Sequence, residues 1–212
     1  MKSKQYSTLF KVIGVGNGGC SAIDYIYDKE HSKYSLVACD TDLNRLLASS
    51  AHINLLIGKE GLGNITNPKI RRTEAIKSKS LIKYLLSNST RVCFIIAGMG
   101  GGTDTGVAPV IASIAKSLGI FTIGIVTTPY RFEGRRKTET ALEGVKEMSK
   151  NVDELIVINY EAISDFYDVS NLSISEAYMT ANYKIYDIIK VFAKEIISNG
   201  LINVQSHKVL VK

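Results

Sequence analysis

Apolar runs and amphipathic stretches alternate through the first 160 residues of the chain. Six short apolar runs, rich in β-branched residues, predict strands at 10–15, 35–39, 53–57, 92–97, 120–127 and 155–159. Stretches of helical period lie between them at 21–28, 42–48, 73–86, 105–118 and 136–150. Strands that are apolar throughout and separated by helices indicate a parallel sheet covered on both faces. The pattern therefore predicts an α/β fold with a doubly wound, mostly parallel sheet.

The last third of the chain has a different pattern. From Ile174 onward, apolar residues recur at steps of three and four, which predicts one long helix over about 174–198. Ser173 or Ser175 is suited to cap its start, and Asn199-Gly200 is suited to end it. Without a linker or an internal repeat, we expect residues 1–200 to form one domain that ends in this helix, followed by a tail at 201–212.

Composition adds limits to the class of protein. The chain has 212 residues, 45% hydrophobic and 22% charged, which is enough to fold without disulfides or a metal. It contains no apolar run of membrane-spanning length. Its basic N-terminus has no apolar core of signal-peptide length, so export is not expected. Its three cysteines (Cys20, Cys39 and Cys93) lie far apart and are typical of reduced thiols. We expect a cytoplasmic protein.

The charge of the chain is basic, with 26 Lys and Arg against 20 Asp and Glu, a net charge of +6. The basic residues are scattered, apart from small clusters at 69–72 and 135–137. A nucleic-acid-binding protein more often concentrates them on one stripe with aromatic residues, so no nucleic-acid partner is predicted. A solvated surface is the simplest interpretation. An anionic small molecule or an anionic membrane surface is the alternative.

Glycines mark the candidate site. Nine of the 17 glycines lie in two stretches, 14–19 and 98–106, each after a predicted strand and before a predicted helix. Backbone N–H groups and the helix dipole at such places form cradles for phosphate groups. Both stretches fall on the same edge of the predicted sheet, where parallel sheets bind ligands. The sequence therefore predicts a phosphate-bearing ligand.

The first stretch alone allows a different ligand. Gly14, Gly16 and Gly19 match GxGxxG, and Asp40 ends the second strand, as in NAD-binding folds. An NAD-dependent oxidoreductase is therefore an alternative, although no catalytic His or Lys–Tyr arrangement accompanies the motif. The second stretch is not expected in such an enzyme, and no GxxxxGK[ST] motif of a P-loop occurs.

The second stretch identifies a family. AGMGGGTDTGVAPVIA (97–112) resembles the signature of the tubulin/FtsZ family, usually GGGTGTG, and the likeness is strongest to FtsZ-like members. Further family motifs follow in order and cover nearly the whole chain: IGVGNGGCSA (13–22), CDTDLNRLL (39–47), GLGNITNPKI (61–70), TPYRFEGRRK (128–137), TANYK (180–184) and GLINV (200–204). The resemblance implies a guanine-nucleotide-binding domain of the prokaryotic tubulin cytoskeleton, which acts in cell division.

The resemblance also implies a set of site residues for GTP or GDP. The α/β-phosphates would lie against Asn17, Gly18, Gly19, Cys20 and Ser21, and the β/γ-phosphates in the cradle of Gly101, Gly102, Thr103, Asp104, Thr105 and Gly106. Asp40, Thr41 and the loop at 61–67 would flank the ribose and γ-phosphate, with Glu133 on the ribose and Lys137 in the place of the usual arginine. Tyr178 would stack on the base, and the Asn182 amide would recognise guanine.

Departures from the family pattern concern catalysis first. Family members hydrolyse GTP when a neighbouring subunit inserts a loop that carries two acids. Gln205 and Lys208 stand in place of those acids, and His207 is the only alternative base. An amide and an ammonium cannot activate water as carboxylates do. We therefore assign no catalytic residue and expect hydrolysis to be weak or absent.

Two further departures lie in the site. Asp104 replaces a glycine of the phosphate loop, and its charge would repel the triphosphate unless a Mg²⁺ ion accompanies the nucleotide or the side chain points away. Mg²⁺ is therefore a candidate cofactor, with no residue assigned as its ligand. Tyr183 takes the place of an acidic guanine contact. We expect weakened affinity within an intact fold.

Association is expected through the nucleotide face. The family's second domain would follow the activating loop and is not found in this sequence, so residues 201–212 are interpreted as a remnant of that loop. We expect nucleotide-dependent association with a second copy or an FtsZ-type partner. A peripheral membrane association is a weaker variant. The alternative function is an active, polymerising cell-division GTPase whose C-terminal domain is removed or supplied elsewhere.

Overall fold

The sheet is parallel throughout. A computed structural model of the chain describes residues 9–58, 66–87, 89–161, 173–199 and 210–211. Its strands are β1 (Phe10–Val15), β2 (Ser35–Asp40), β3 (Ile53–Leu56), β4 (Val92–Gly98), β5 (Phe121–Thr128), β6 (Glu154–Asn159) and β7 (Leu210–Val211). They form one sheet in the order β3-β2-β1-β4-β5-β6-β7, and every neighbouring pair is parallel. The prediction of a doubly wound parallel sheet is confirmed.

Helices cover both faces of this sheet. They are α1 (Gly16–Glu30), α2 (Leu43–Leu47), α3 (Pro68–Lys77), α4 (Lys79–Ser87), α5 (Gly102–Ser117), α6 (Arg135–Ser149) and α7 (Ile174–Asn199), with a short 3-10 helix at Arg131–Glu133. The predicted long helix is thus confirmed as α7. Within the ranges given above, no helix combines the length and the apolar character needed to cross a membrane.

Several predicted boundaries were wrong, because turn chemistry was missed. The stretch at 73–86 is not one helix but belongs to two, α3 and α4. Helix α3 begins earlier than predicted, because the Asn67 side chain accepts a hydrogen bond from the Lys69 N–H at 2.9 Å and Pro68 takes the first helical position. Strand β7 was not predicted, since two residues give no periodic signal. It lies near the end of the predicted tail, of which residues 201–209 and 212 are outside the described residues.

The two glycine stretches are largely helical. Helix α1 begins at Gly16, not at Ser21, and α5 begins at Gly102, not at Thr105. Glycine has a poor helix propensity, which hid these first turns in the sequence. The packing explains them: a Cβ on Gly19 would lie 2.5 Å from the Ile96 carbonyl oxygen, so only glycine lets α1 approach β4 this closely.

Two apolar layers enclose the sheet. One face carries α1 and α7, whose Ile23, Ile26, Ile185 and Ile189 pack on strand residues such as Phe94. The other face carries α3, α4, α5 and α6. Strands β1 and β4 are neighbours although they are far apart in sequence, and α1 and α5 leave them on opposite faces. The carboxyl edge of these two strands is therefore the point where a parallel sheet forms a crevice.

The close approach of α1 to β4 predicts different effects for two adjacent glycines. We expect Gly19→Ala to lower the free energy of unfolding by about 2–3 kcal/mol, because its methyl group overlaps backbone atoms that cannot move independently. In Gly18→Ala the new Cβ would lie 3.6 Å from the Gly98 Cα, an ordinary contact. This control should change stability by less than about 1 kcal/mol. Urea unfolding followed by circular dichroism measures both, and equal losses would contradict the tight approach.

Candidate functional site

A cavity of about 430 Å³ opens at the carboxyl edge of β1, β4 and β5. Nine of the residues that the sequence singled out line it: Asn17, Gly18, Ser21, Gly101, Asp104, Glu133, Lys137, Tyr178 and Asn182. The other lining residues are Gly98, Met99, Thr127, Pro129, Tyr160, Ser175 and Met179. The glycine stretches lie at one end of the cavity, and the α7 residues lie at the other. The cavity thus joins the predicted phosphate and base regions.

The remaining sequence candidates lie outside the lining. They are Gly19, Cys20, Asp40, Thr41, Gly102, Thr103, Thr105 and Gly106. Cys20 is fully buried, with its Sγ 3.7 Å from the carbonyl oxygens of Gly14 and Cys39, and burial raises the pKa of its thiol to about 12. Its side chain therefore belongs to the core between α1 and β2 and stays neutral.

Asp40 closes the turn that follows β2. Its carboxylate accepts hydrogen bonds from the N–H groups of Thr41 at 2.6 Å and Asp42 at 3.2 Å, and burial raises its pKa. The hydroxyls of Thr41 and Thr103 lie 2.9 Å apart and join this turn to the start of α5. The side chain of Asp40 therefore stabilises the turn beside the cavity and does not line the cavity itself. Residues 61–65 of the loop expected beside it lie outside the described residues.

The start of α5 is held by contacts within the second glycine stretch. The Thr105 hydroxyl accepts a hydrogen bond from the Gly100 N–H at 2.9 Å, and Gly102 is the first residue of the helix. Gly106 lies against α3, where a Cβ would be 2.9 Å from the Arg71 Cβ. These residues shape the loop by packing and hydrogen bonding, which a motif in the sequence does not reveal.

Asp104 points into the space between the two glycine stretches. Its carboxylate accepts a hydrogen bond from the Gly98 N–H at 3.2 Å and from its own N–H, and it packs against Gly16 and Gly101. Gly16 has φ = +70°, a conformation that favours glycine and leaves room for this carboxylate. Burial first, and then the nearby Asp40 charge, raise the pKa of Asp104 to about 7. A carboxyl group thus occupies the floor of the predicted phosphate cradle.

Glu133 and Lys137 form one side of the cavity. The 3-10 helix and the first turn of α6 place them four residues apart, and they form an ion pair. Glu133 also accepts a hydrogen bond from the Tyr130 N–H at 2.9 Å and one from the Tyr178 hydroxyl. Among the lining residues in the described part of the chain, Lys137 is the one cationic side chain. Its charge is already shared with Glu133.

Aromatic rings cluster at the α7 end of the cavity, away from the glycine stretches. Tyr178 on α7 meets the rings of Tyr130 and Tyr160 edge-on, with centroids 6.0 Å and 5.5 Å apart, while Tyr130 and Tyr160 stack on each other at 4.9 Å. Tyr160, which directly follows β6, was not predicted from the sequence. A polar or aromatic residue just after a parallel strand is the signal that would have found it.

Two polar residues join α7 to α1 across the cavity. The Asn182 amide donates a hydrogen bond to the Ser21 hydroxyl at 3.2 Å, and Asn182 is largely buried. Tyr183 on the same helix is 47% exposed and does not line the cavity. The Asn182 amide, predicted to recognise a base, therefore lies at the cavity, whereas Tyr183, which departs from the family pattern, lies outside it.

Comparison with known proteins agrees with this geometry. Residues 10–168 match the model described as the Tubulin/FtsZ family, GTPase domain. The chain belongs to the tubulin/FtsZ family. It is 42% identical over 199 residues to the cell division protein FtsZ of Porphyromonas gingivalis, and 39% identical over 201 residues to that of Buchnera aphidicola subsp. Acyrthosiphon pisum. The resemblance read from the glycine motifs is thus confirmed.

A solved structure shows the same fold. An FtsZ dimer without ligand from M. jannaschii superposes with a TM-score of 0.81 at 32% identity, over 94% of this chain and 58% of that one. The two curated relatives are matched over 92% and 93% of this chain, but over only 43% and 52% of their own length. The chain therefore spans about half the length of the relatives it matches.

The buried carboxyl group of Asp104 predicts a pH-dependent stability. Its pKa of about 7 in the folded protein exceeds the ordinary value of 3.8, so between these limits the folded state holds a proton that the unfolded state has released. Stability from this group is present below about pH 4 and is lost as pH rises towards 7, by up to about 4 kcal/mol in total. Asp104→Asn lacks this loss. As the pH rises from 4.5 to 7.5, urea unfolding should show the variant becoming more stable relative to wild type. Parallel curves of unfolding free energy against pH would contradict this prediction.

Proposed function

We propose that the chain binds a guanine nucleotide, GTP or GDP, in the cavity between the two glycine stretches and α7. The observation that carries this proposal is the continuity of one cavity from the helix N-termini of α1 and α5 to Tyr178 and Asn182. Its volume of about 430 Å³ lies within the range of small-molecule sites. Membership of the tubulin/FtsZ GTPase-domain family supports the same ligand.

The phosphates would lie at the glycine end. Helices α1 and α5 start at neighbouring strands, so the positive ends of two helix dipoles meet there. Asn17 and Gly18 provide exposed backbone at this place, and Lys137 lies on the adjoining wall. Asp104 opposes this attraction. Mg²⁺ as an accompanying ion stays a prediction, and no residue is assigned to it.

The base would lie at the α7 end. The Tyr178 ring offers an aromatic surface, which gives affinity for any base, and the Asn182 amide offers a donor and an acceptor that distinguish guanine from adenine. Glu133, which the Tyr178 hydroxyl contacts, would accept hydrogen bonds from the ribose. The NAD alternative loses support, because the carboxylate it would need, Asp40, is taken up by its own turn.

Tyr178 tests this placement. We expect Tyr178→Leu to raise the Kd for GTP about tenfold through loss of stacking, whereas Tyr178→Phe should have little effect. Tyr186→Leu is the matched control, because Tyr186 lies on the same helix and its hydroxyl contacts Glu30 outside the cavity. Fluorescence titration with labelled GTP measures the three variants, after the nucleotide retained by the purified protein has been identified by chromatography. Equal losses in both leucine variants, or no guanine-nucleotide binding at micromolar concentration, would contradict the proposal.

Hydrolysis and association form the second part of the proposal. The chain would act by nucleotide-dependent association with a second copy or an FtsZ-type partner through the face that holds the cavity, with little hydrolysis. Gln205, His207 and Lys208, on which the hydrolysis argument depends, lie outside the described residues, so this part rests on the sequence. The similar protein from M. jannaschii is described as a dimer, which supports association between copies.

Phosphate release tests the hydrolysis argument. We expect a near-zero rate with GTP that stays flat as protein concentration rises, since an amide and an ammonium replace the water-activating acids. Replacing Gln205 and Lys208 together by Asp should create a rate that rises steeply with concentration. Gln205→Asn with Lys208→Gln is the matched control and should remain inactive. A wild-type rate that already rises steeply would instead support an active, polymerising GTPase.

A further inference from the structure

Asp104 places a carboxyl group where the cavity is otherwise built for anions. It lies in the first turn of α5, lines the cavity, and is 9% exposed. Its oxygens contact the Gly98 N–H and its own N–H, and they fill the space beside Gly16 and Gly101 that the missing Cβ atoms leave open. The side chain thus uses backbone donors of the second glycine stretch as an internal anion.

A bound phosphate group would compete with this internal anion. The predicted phosphate cradle includes the Asp104 N–H, which this carboxylate already contacts. Two negative charges a few ångströms apart also repel each other strongly where water is excluded. The glycine stretches hold the carboxyl group from several sides, so it cannot turn away without giving up its hydrogen bond to Gly98. Unless a cation such as Mg²⁺ accompanies the nucleotide and offsets the repulsion, either the carboxylate loses its charge or the anion binds weakly.

Among the described residues, the charged and titratable groups around Asp104 do little to offset its negative charge. Lys137 of α6 is the nearby cation, and it is paired with Glu133. Asp40, at the end of β2, adds a second negative charge. Cys20 of α1 and Cys39 of β2 are also near, but burial raises the pKa of each thiol far enough to keep it neutral. The part of β4 that contacts the carboxyl group contributes only the backbone of Gly98.

We propose that Asp104 takes up one proton from solvent when the nucleotide binds, so that the cavity accepts the phosphates with Asp104 neutral. The protonated carboxyl group keeps its place in the cradle and presents an O–H donor to the phosphate oxygens. The proton returns to solvent when the nucleotide leaves. This inference rests on the proposed function, because the ligand that imposes the proton uptake is the nucleotide polyphosphate.

This coupling between proton uptake and nucleotide binding operates near neutral pH. Burial raises the pKa of Asp104 to about 7, so the group is partly ionised at that pH before the nucleotide arrives. Below this value the affinity changes little with pH. Above it, affinity falls by up to tenfold for each pH unit, because every binding event must first supply the proton. From pH 7.0 to 8.5 the Kd for GTP should therefore rise about tenfold.

Calorimetry tests the coupling directly. Titration of GTP into the full chain at pH 8.0, in two buffers with different ionisation enthalpies, measures the protons taken up on binding. We expect between about half and one proton for wild type, and none for Asp104→Asn, which keeps the shape and removes the charge. The variant should also bind GTP about tenfold more tightly than wild type at pH 8.5 and show a flat Kd between pH 7.0 and 8.5. Asp40→Asn should retain the proton uptake whatever its overall affinity.

The outcomes separate the two proposals. Wild-type binding without proton uptake, or with the same pH dependence as Asp104→Asn, would show that the carboxylate stays ionised when the nucleotide is bound and would overturn the coupling alone. Weaker binding by Asp104→Asn at every pH would show that the carboxylate assists binding and would also overturn it. If neither folded protein binds GTP at any pH between 6.5 and 8.5, the proposed function fails, and the coupling fails with it.

Discussion

The architecture depends on one close backbone approach, that of helix α1 to strands β1 and β4. Gly14 and Gly19 face each other, and Gly19 also lies against the Ile96 carbonyl, at distances that no side chain permits. This approach lets α1 begin directly at the end of β1, while α5 begins shortly after β4 on the other face of the sheet. Because β1 and β4 are adjacent, the two helix N-termini converge on one cavity. The remaining elements support this arrangement: α7 and α6 supply the opposite walls.

The sequence was most informative where one pattern extends over many residues. Six strands, the long helix α7 and the two glycine stretches could all be predicted, since each has a clear period or an unusual composition. The family followed from the second stretch, because the order of glycines and threonines within residues 97–112 is highly specific to it. What could not be predicted depends on contacts between distant residues. The break between α3 and α4 and the early starts of α1 and α5 are set by capping and packing, which outweigh intrinsic propensity.

The site shows the same division. Nine candidates line the cavity: seven lie in motifs that follow strand ends, and Tyr178 and Asn182 lie on α7, which forms another wall of the cavity. Cys20, Asp40 and Thr103 share those motifs, yet their side chains have structural partners: the core, the turn after β2, and Thr41. A motif identifies a loop but cannot say which of its side chains face the ligand. Tyr160 was missed for the opposite reason, since a single tyrosine after a strand carries no motif.

Most polar side chains at the cavity already have partners within the chain. Glu133 binds Lys137 and Tyr178, Asn182 binds Ser21, and Asp104 binds the Gly98 N–H. A nucleotide would therefore exchange hydrogen bonds more than add them, and such exchanges contribute only about 0.5–1.5 kcal/mol each. Affinity would then come mainly from stacking on Tyr178 and from the two helix N-termini. Those two contributions act on different parts of the ligand, and only the second is opposed by a charge of the protein itself, at Asp104. In the proposed complex, the protonation state of that one carboxyl group would thus decide how strongly the glycine end of the cavity attracts the phosphates.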